Sequence, residues 1–110
     1  MAYDEDLAAR IRELLGDEPG IAEKRMFGGL AFLVNANMAV AVSGQGGLMV
    51  RVPPDDTESL LERQHVRPMV MRDREMRGWL RVDTEGVRTK RQLESWIRRG
   101  VTHAKTFAPK

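Results

Sequence analysis

At 110 residues, with hydrophobic residues at 42% and charged residues at 31%, the chain has the make-up of an ordinary globular protein, and residues 1–110 are read as a single domain. It contains no cysteine, which excludes disulfides, thiolate nucleophiles and cysteine-ligated zinc, and no apolar run near the ~20 residues that span a bilayer. A net charge of +2 conceals a division, since residues 1–62 carry five Lys and Arg against eleven Asp and Glu while residues 63–110 carry thirteen against five; such asymmetry marks a nucleic-acid surface, an acidic patch meeting a basic one on a second copy, or a mixed solvated surface.

The start, MAYDEDLAAR, is acidic and so is not a secretory signal, which makes the cytoplasm the expected compartment. Leu7, Ala8, Ile11, Leu14 and Leu15 recur at helical spacing behind Asp4, Glu5 and Asp6, predicting a helix over about 4–16 that stops at Gly16. Pro19-Gly20 then breaks the chain. Met26–Val34 is nearly continuously apolar and reads as strand, with Gly28-Gly29 marking a bulge or a bend between two short strands. Asn35-Ala36-Asn37 suits a tight hairpin connection, and Met38–Val42 with Leu48–Val52 form a second hairpin around Ser43–Gly47.

Pro54–Arg63 is a short helix by its leading proline, its early Asp55, Asp56 and Glu58, and its Leu60-Leu61 pair. Residues 64–78 resist assignment; Val66, Met69 and Met71 alternate weakly, and Arg72–Glu75 reads as a solvated turn. Trp79–Asp83 is a further strand. Thr89 with Gln92 three residues on matches a capping box, and Leu93, Trp96, Ile97, Val101, Ala104 and Phe107 form one stripe of a final helix. Gly100 within it costs about 1 kcal/mol relative to alanine, a cost that close packing on the sheet would offset. The expected fold is α+β: an antiparallel meander of five to six strands packed on N- and C-terminal helices and a short middle helix.

Alternation sorts the strand residues by face. Met38, Val40, Val42, Leu48, Val50, Val52, Leu80 and Val82 belong to the core side. The opposite rows hold Ala39, Ala41, Met49, Arg51, Trp79, Arg81 and Asp83, a mixture suited to a partly wet surface. Either the 64–78 segment folds over that face, or a second subunit does, or it receives a ligand or partner. Met49, Arg51, Trp79 and Arg81 are therefore the candidate partner surface.

Little in the chain can perform chemistry. His65 and His103 lack metal-ligand spacing, and Ser43, Ser59 and Ser95 lack the context of a nucleophile. Gly44–Gly47 and Gly28-Gly29 are followed by strands where a phosphate cradle or dinucleotide fingerprint needs a helix. Carboxylate pairs such as Asp55-Asp56 sit at helix ends, where capping explains them, and the seven methionines fall mainly in apolar rows. No catalytic, cofactor-binding or metal-ligating residue is nominated. The basic residues make a better case: Arg72, Arg74, Arg98 and Arg99 are the candidate nucleic-acid contacts. Aromatics at 5% leave few stacking platforms, so nucleic acid ranks below a protein partner or self-association.

The run RMFGGLAFLVN, followed by MAVAV, LMVRV and RGWLRV ahead of a C-terminal helix, resembles the N-terminal domain of the TfoX/Sxy family over about Tyr3 to Phe107. Lys24–Gly29 is the most specific part, with Arg77–Val82 in support. The resemblance implies an α+β domain with an antiparallel sheet and flanking helices. Full-length members include bacterial regulators of natural competence that act with the cyclic-AMP receptor protein at promoters. Those carry a second, C-terminal helical domain, which this chain, ending at Lys110, is expected to lack. No catalytic residue follows from the resemblance, and a non-enzymatic interaction or regulatory module is the expected function.

Overall fold

The structure is a computed structural model and describes residues 3–26 and 28–107. Helix α1 (Glu5–Leu15) opens with the Asp4 carboxylate accepting the Leu7 N–H at 3.1 Å and closes at Gly16. Strands β1 (Ile21–Met26), β2 (Gly29–Val34), β3 (Asn37–Val42) and β4 (Leu48–Arg51) follow. A 3-10 turn over Pro54–Asp56 leads into the one-turn α2 (Thr57–Leu60). Then come β5 (Val66–Met71), β6 (Arg74–Val82), a second 3-10 turn over Thr84–Val87, and α3 (Lys90–Ala104).

The six strands form one sheet of order β1-β2-β3-β4-β6-β5, every neighbouring pair antiparallel. The α+β class holds, with one departure from a plain meander: β6, not β5, pairs with β4. The 54–60 helical segment carries the chain past that position to the sheet edge, and β6 returns inside it.

Helices lie on one side. α3 crosses β3 and β4 and buries Leu93, Trp96, Ile97, Val101 and Ala104 against Val40, Val42, Leu48, Val50 and Val52. The expected capping box is present, Thr89 accepting the Gln92 N–H at 3.1 Å and Gln92 accepting the Thr89 N–H at 2.9 Å. Gly100 marks the closest approach: a Cβ there would lie 2.6 Å from the Ala39 carbonyl oxygen. α1 buries Leu7, Ala8, Ile11 and Leu15 in the same core. Its Arg10 guanidinium donates to the Val87 and Arg88 carbonyls at 2.9 and 3.0 Å, while Arg12 grips Glu23 on β1 with two hydrogen bonds of 2.7 and 2.8 Å.

Several expectations change. Ile21–Met26 is a strand, although its central AEKR stretch is wholly exposed; as an edge strand it is held by backbone pairing from Ile21↔Val34 to Met26↔Gly29. Phe27, inside the apolar run read as one strand, lies outside the described residues. The β2–β3 hairpin turns on Asn35 and Ala36 alone, both at positive φ (52° and 69°), as a two-residue type I′ turn requires. Residues 64–78 extend the sheet as β5 and the first half of β6, so they do not fold over its second face. Their turn narrows to Arg72-Asp73, again both at positive φ. The middle helix is shorter than Pro54–Arg63, and α3 ends at Ala104, leaving Phe107 off its buried stripe and 37% exposed.

Candidate interaction surface

The side of the sheet away from the helices is built by register. Ala31 pairs with Ala41, Ala41 with Met49, Met49 with Arg81, and Arg81 with Arg67; Arg51 pairs with Trp79. Partners directly opposite in an antiparallel pair share a face. The four candidate residues Met49, Arg51, Trp79 and Arg81 are therefore immediate neighbours, and each is half-buried. Ala31 and Ala41 are buried on this side, but the register shift between Phe32 and Leu33 interrupts the alternation of β3. Ala39, expected on this face, packs in the helix-side core, and Met38, expected in the core, pairs with half-buried Leu33 on this side.

Arg81 is fixed by the β3–β4 loop, donating to Gln45 Oε1 at 2.8 Å, Ser43 Oγ at 3.2 Å and the Gly46 carbonyl at 3.4 Å. That loop spends its own N–H groups internally: Ser43 donates to the Gly47 carbonyl, Gly46 to the Ser43 carbonyl, and Gln45 to Ser43 Oγ. It holds a cation from its own chain, in keeping with its hairpin role. Beside it, Met49, Met69, Val70 and Met71 border a cavity of about 160 Å3. Val70 is 55% and Met71 39% exposed. The register shift between Pro68 and Val70 re-aims this part of β5, as bulges do.

At the other end, the Arg51 guanidinium lies 4.2 Å from the Phe107 ring centroid and 5.6 Å from that of Trp79. Phe107 meets His103 edge-on at 5.0 Å. Burial, reinforced by the positive charge of Arg51, holds the His103 pKa below its ordinary value, Asp56 opposing. Periodicity had put Phe107 in the core; a return of the chain after α3 leaves no periodic signal. Neither Arg51 nor Arg81 is ion-paired to a carboxylate among the described residues, whereas Arg67 pairs with Asp83, and Arg77 with Glu58 and Asp55.

The four nucleic-acid candidates do not assemble in this way. Arg72 and Arg74 are exposed at the β5–β6 turn, while Arg98 and Arg99 stand on α3. Arg98 pairs with Glu94 at 3.5 Å, and Arg99 is half-buried with its guanidinium 5.7 Å from the Trp96 ring centroid. Two separate elements thus carry them. Among the described residues no group of three or more His, Asp or Glu is placed to hold a metal ion, and no helix is long and apolar enough to cross a membrane.

Helices on one side of the sheet and a part-exposed strand face on the other define the class, an open-faced antiparallel α+β domain. The chain belongs to the family of the TfoX N-terminal domain, whose model matches residues 13–104. No curated protein and no solved structure matched it.

Proposed function

We propose that this domain is a non-enzymatic recognition module, and that a protein partner seats on Met49, Arg51, Trp79 and Arg81. The observation that carries this reading is the register, which sets an apolar strip beside two guanidinium groups lacking carboxylate partners among the described residues. Such a face suits a partner presenting apolar side chains ringed by Asp or Glu. Family membership supports a regulatory role of interaction type, and competence or transcriptional control in the cytoplasm is the process proposed for it.

Affinity capture from native lysate, with and without nuclease, tests this with wild type and the pair Met49→Glu and Trp79→Ala. Expected is a protein retained by wild type, lost with both variants and indifferent to nuclease. Equal retention by the variants refutes the surface, and nuclease-sensitive retention refutes a protein partner. A sedimentation mass that doubles with concentration for wild type, and stays monomeric for Met49→Glu, identifies the partner as a second copy.

A further inference from the structure

We propose that the outer side of α3, with the turn at Pro53–Asp56, is a binding site for a small organic phosphate of mononucleotide size. The inference does not rest on the sheet-face reading: none of Met49, Arg51, Trp79 and Arg81 lines this site, although His103 at its rim meets Phe107, which lies against Arg51. A cavity of about 520 Å3 runs along α3 there, within the range of small-molecule sites. Arg91, Ser95, Arg98 and Thr102 line it at successive helical turns, with Arg99 and His103 beside them.

Arg99 is the centre of the site. Its Nε is buried and has no hydrogen-bond partner among the described residues. Arg99 lines the cavity while this Nε lies beneath the surface, so it is the rest of the guanidinium that meets an anion in the cavity, and a phosphate oxygen is the acceptor whose geometry a guanidinium matches best. Two guanidiniums, those of Arg63 and Arg99, each lie 5.7 Å from the Trp96 ring centroid, which restricts Arg99 before any ligand arrives.

The charge balance favours an anion. Glu94 pairs with Arg98, leaving Arg91 and Arg99 against the exposed carboxylate of Asp56. The Thr106 hydroxyl donates to the His103 carbonyl at 2.6 Å, while those of Ser95 and Thr102 have no such bond among the described residues and are open to phosphate or sugar oxygens. A lone phosphate ion fills little of this volume, and Pro53 and His103 supply less polar wall for an organic portion. A duplex backbone needs protruding cations. Arg99 is half-buried, so a small ligand that enters the cavity fits it better than a duplex passing outside.

The test is NMR titration of the full chain, following the Arg99 Nε–H signal and the amides of Ser95 and Thr102. The probes are adenosine monophosphate, inorganic phosphate, adenosine, and a short duplex DNA of generic sequence. Expected is saturable movement of these signals with adenosine monophosphate, weaker movement with inorganic phosphate, and none with adenosine. Arg99→Gln should weaken adenosine monophosphate by about tenfold or more, as loss of a charge-assisted pair does. Arg72→Ala should leave it unchanged. Should Arg99→Gln unfold the domain, Arg91→Gln, on an exposed wall, is expected to weaken binding several-fold with the melting temperature retained. No saturable movement with either phosphate probe overturns the proposal. So does an equal response to adenosine, or inorganic phosphate binding as tightly as the nucleotide. Displacement of the nucleotide by duplex DNA, with both weakened by Arg72→Ala, assigns these arginines to nucleic acid instead.

Discussion

Replacing Gly100 by alanine sets two effects of opposite sign against each other. In a solvent-exposed helix the change stabilises by about 1 kcal/mol, because alanine restricts the unfolded backbone and shields the helix. At this position the new Cβ would meet the Ala39 carbonyl oxygen at 2.6 Å, Val40 Cγ1 at 2.9 Å and the Ala39 carbonyl carbon at 3.1 Å. The first and third obstacles are backbone of a central strand, so they cannot swing aside like a flexible side chain. α3 must instead lift from β3 by roughly 0.5–1 Å, a gap that forfeits a quarter to a half of the dispersion well across the contact. Overpacking of this kind costs about 1–3 kcal/mol, and immobile backbone places Gly100 at the upper end. Subtracting the propensity gain leaves a net loss of about 2 kcal/mol, or roughly 8 °C in melting temperature for a domain of this size. Thermal and urea unfolding of wild type and Gly100→Ala measure it directly. Thr102→Ala, on the exposed side of the same helix, serves as control and should be neutral or slightly stabilising. A Gly100→Ala protein as stable as wild type, or more so, refutes the close approach of α3 to β3.

Thr57→Val keeps shape and burial but removes the oxygen that accepts the buried Gly78 N–H at 2.9 Å, joining α2 to β6. A loss of about 1–3 kcal/mol is expected, read as a lower urea midpoint with unchanged slope; a loss within error shows that Gly78 finds another acceptor. His103 makes stability fall in mild acid. Its folded pKa lies below the ordinary 6.5, chiefly through burial, so the unfolded chain takes the proton first. The contribution is full above 6.5 and is lost as pH falls below it towards the folded pKa. Glu23 and Glu58, held low by hydrogen bonds from Arg12 and Arg77, act only below 4.5, so the windows are separate. Melting temperature between about pH 7 and pH 5 should decline less in His103→Gln than in wild type, and parallel declines would clear His103 of the effect.

The elements that were legible carry their signal locally. α1 and α3 each combine a capping side chain with a buried stripe, β4 alternates because one side is packed under α3, and β3 is a nearly wholly buried apolar run. β1 was hidden because an edge strand of exposed, mostly charged residues has no buried side to impose alternation. β5 was hidden because a register shift between Pro68 and Val70 breaks what alternation it has. The α3 cavity left a faint trace in the spacing of Arg91, Ser95, Arg98 and Thr102, but only the fold adds Pro53 and Asp56 as the other wall.

The candidate surface shows where local reading stops. Within a regular strand the face a residue occupies depends on parity, which survives any reordering of strands; it fails in β3, where the register shift sends both Ala39 and Val40 to the core. Met49, Arg51, Trp79 and Arg81 could therefore be grouped before their strands were placed. Which of them touch depends on strand order, and that was settled by a helical segment that takes β5 to the edge and returns β6 beside β4. Had β5 paired with β4, Arg67 and Met69 would flank Met49, and Arg81 would lie a strand away from the Ser43–Gly47 loop that now fixes it. The partly apolar, doubly cationic strip is thus a product of topology. Its components are in the sequence, and its contiguity comes from the turn at Pro54–Leu60.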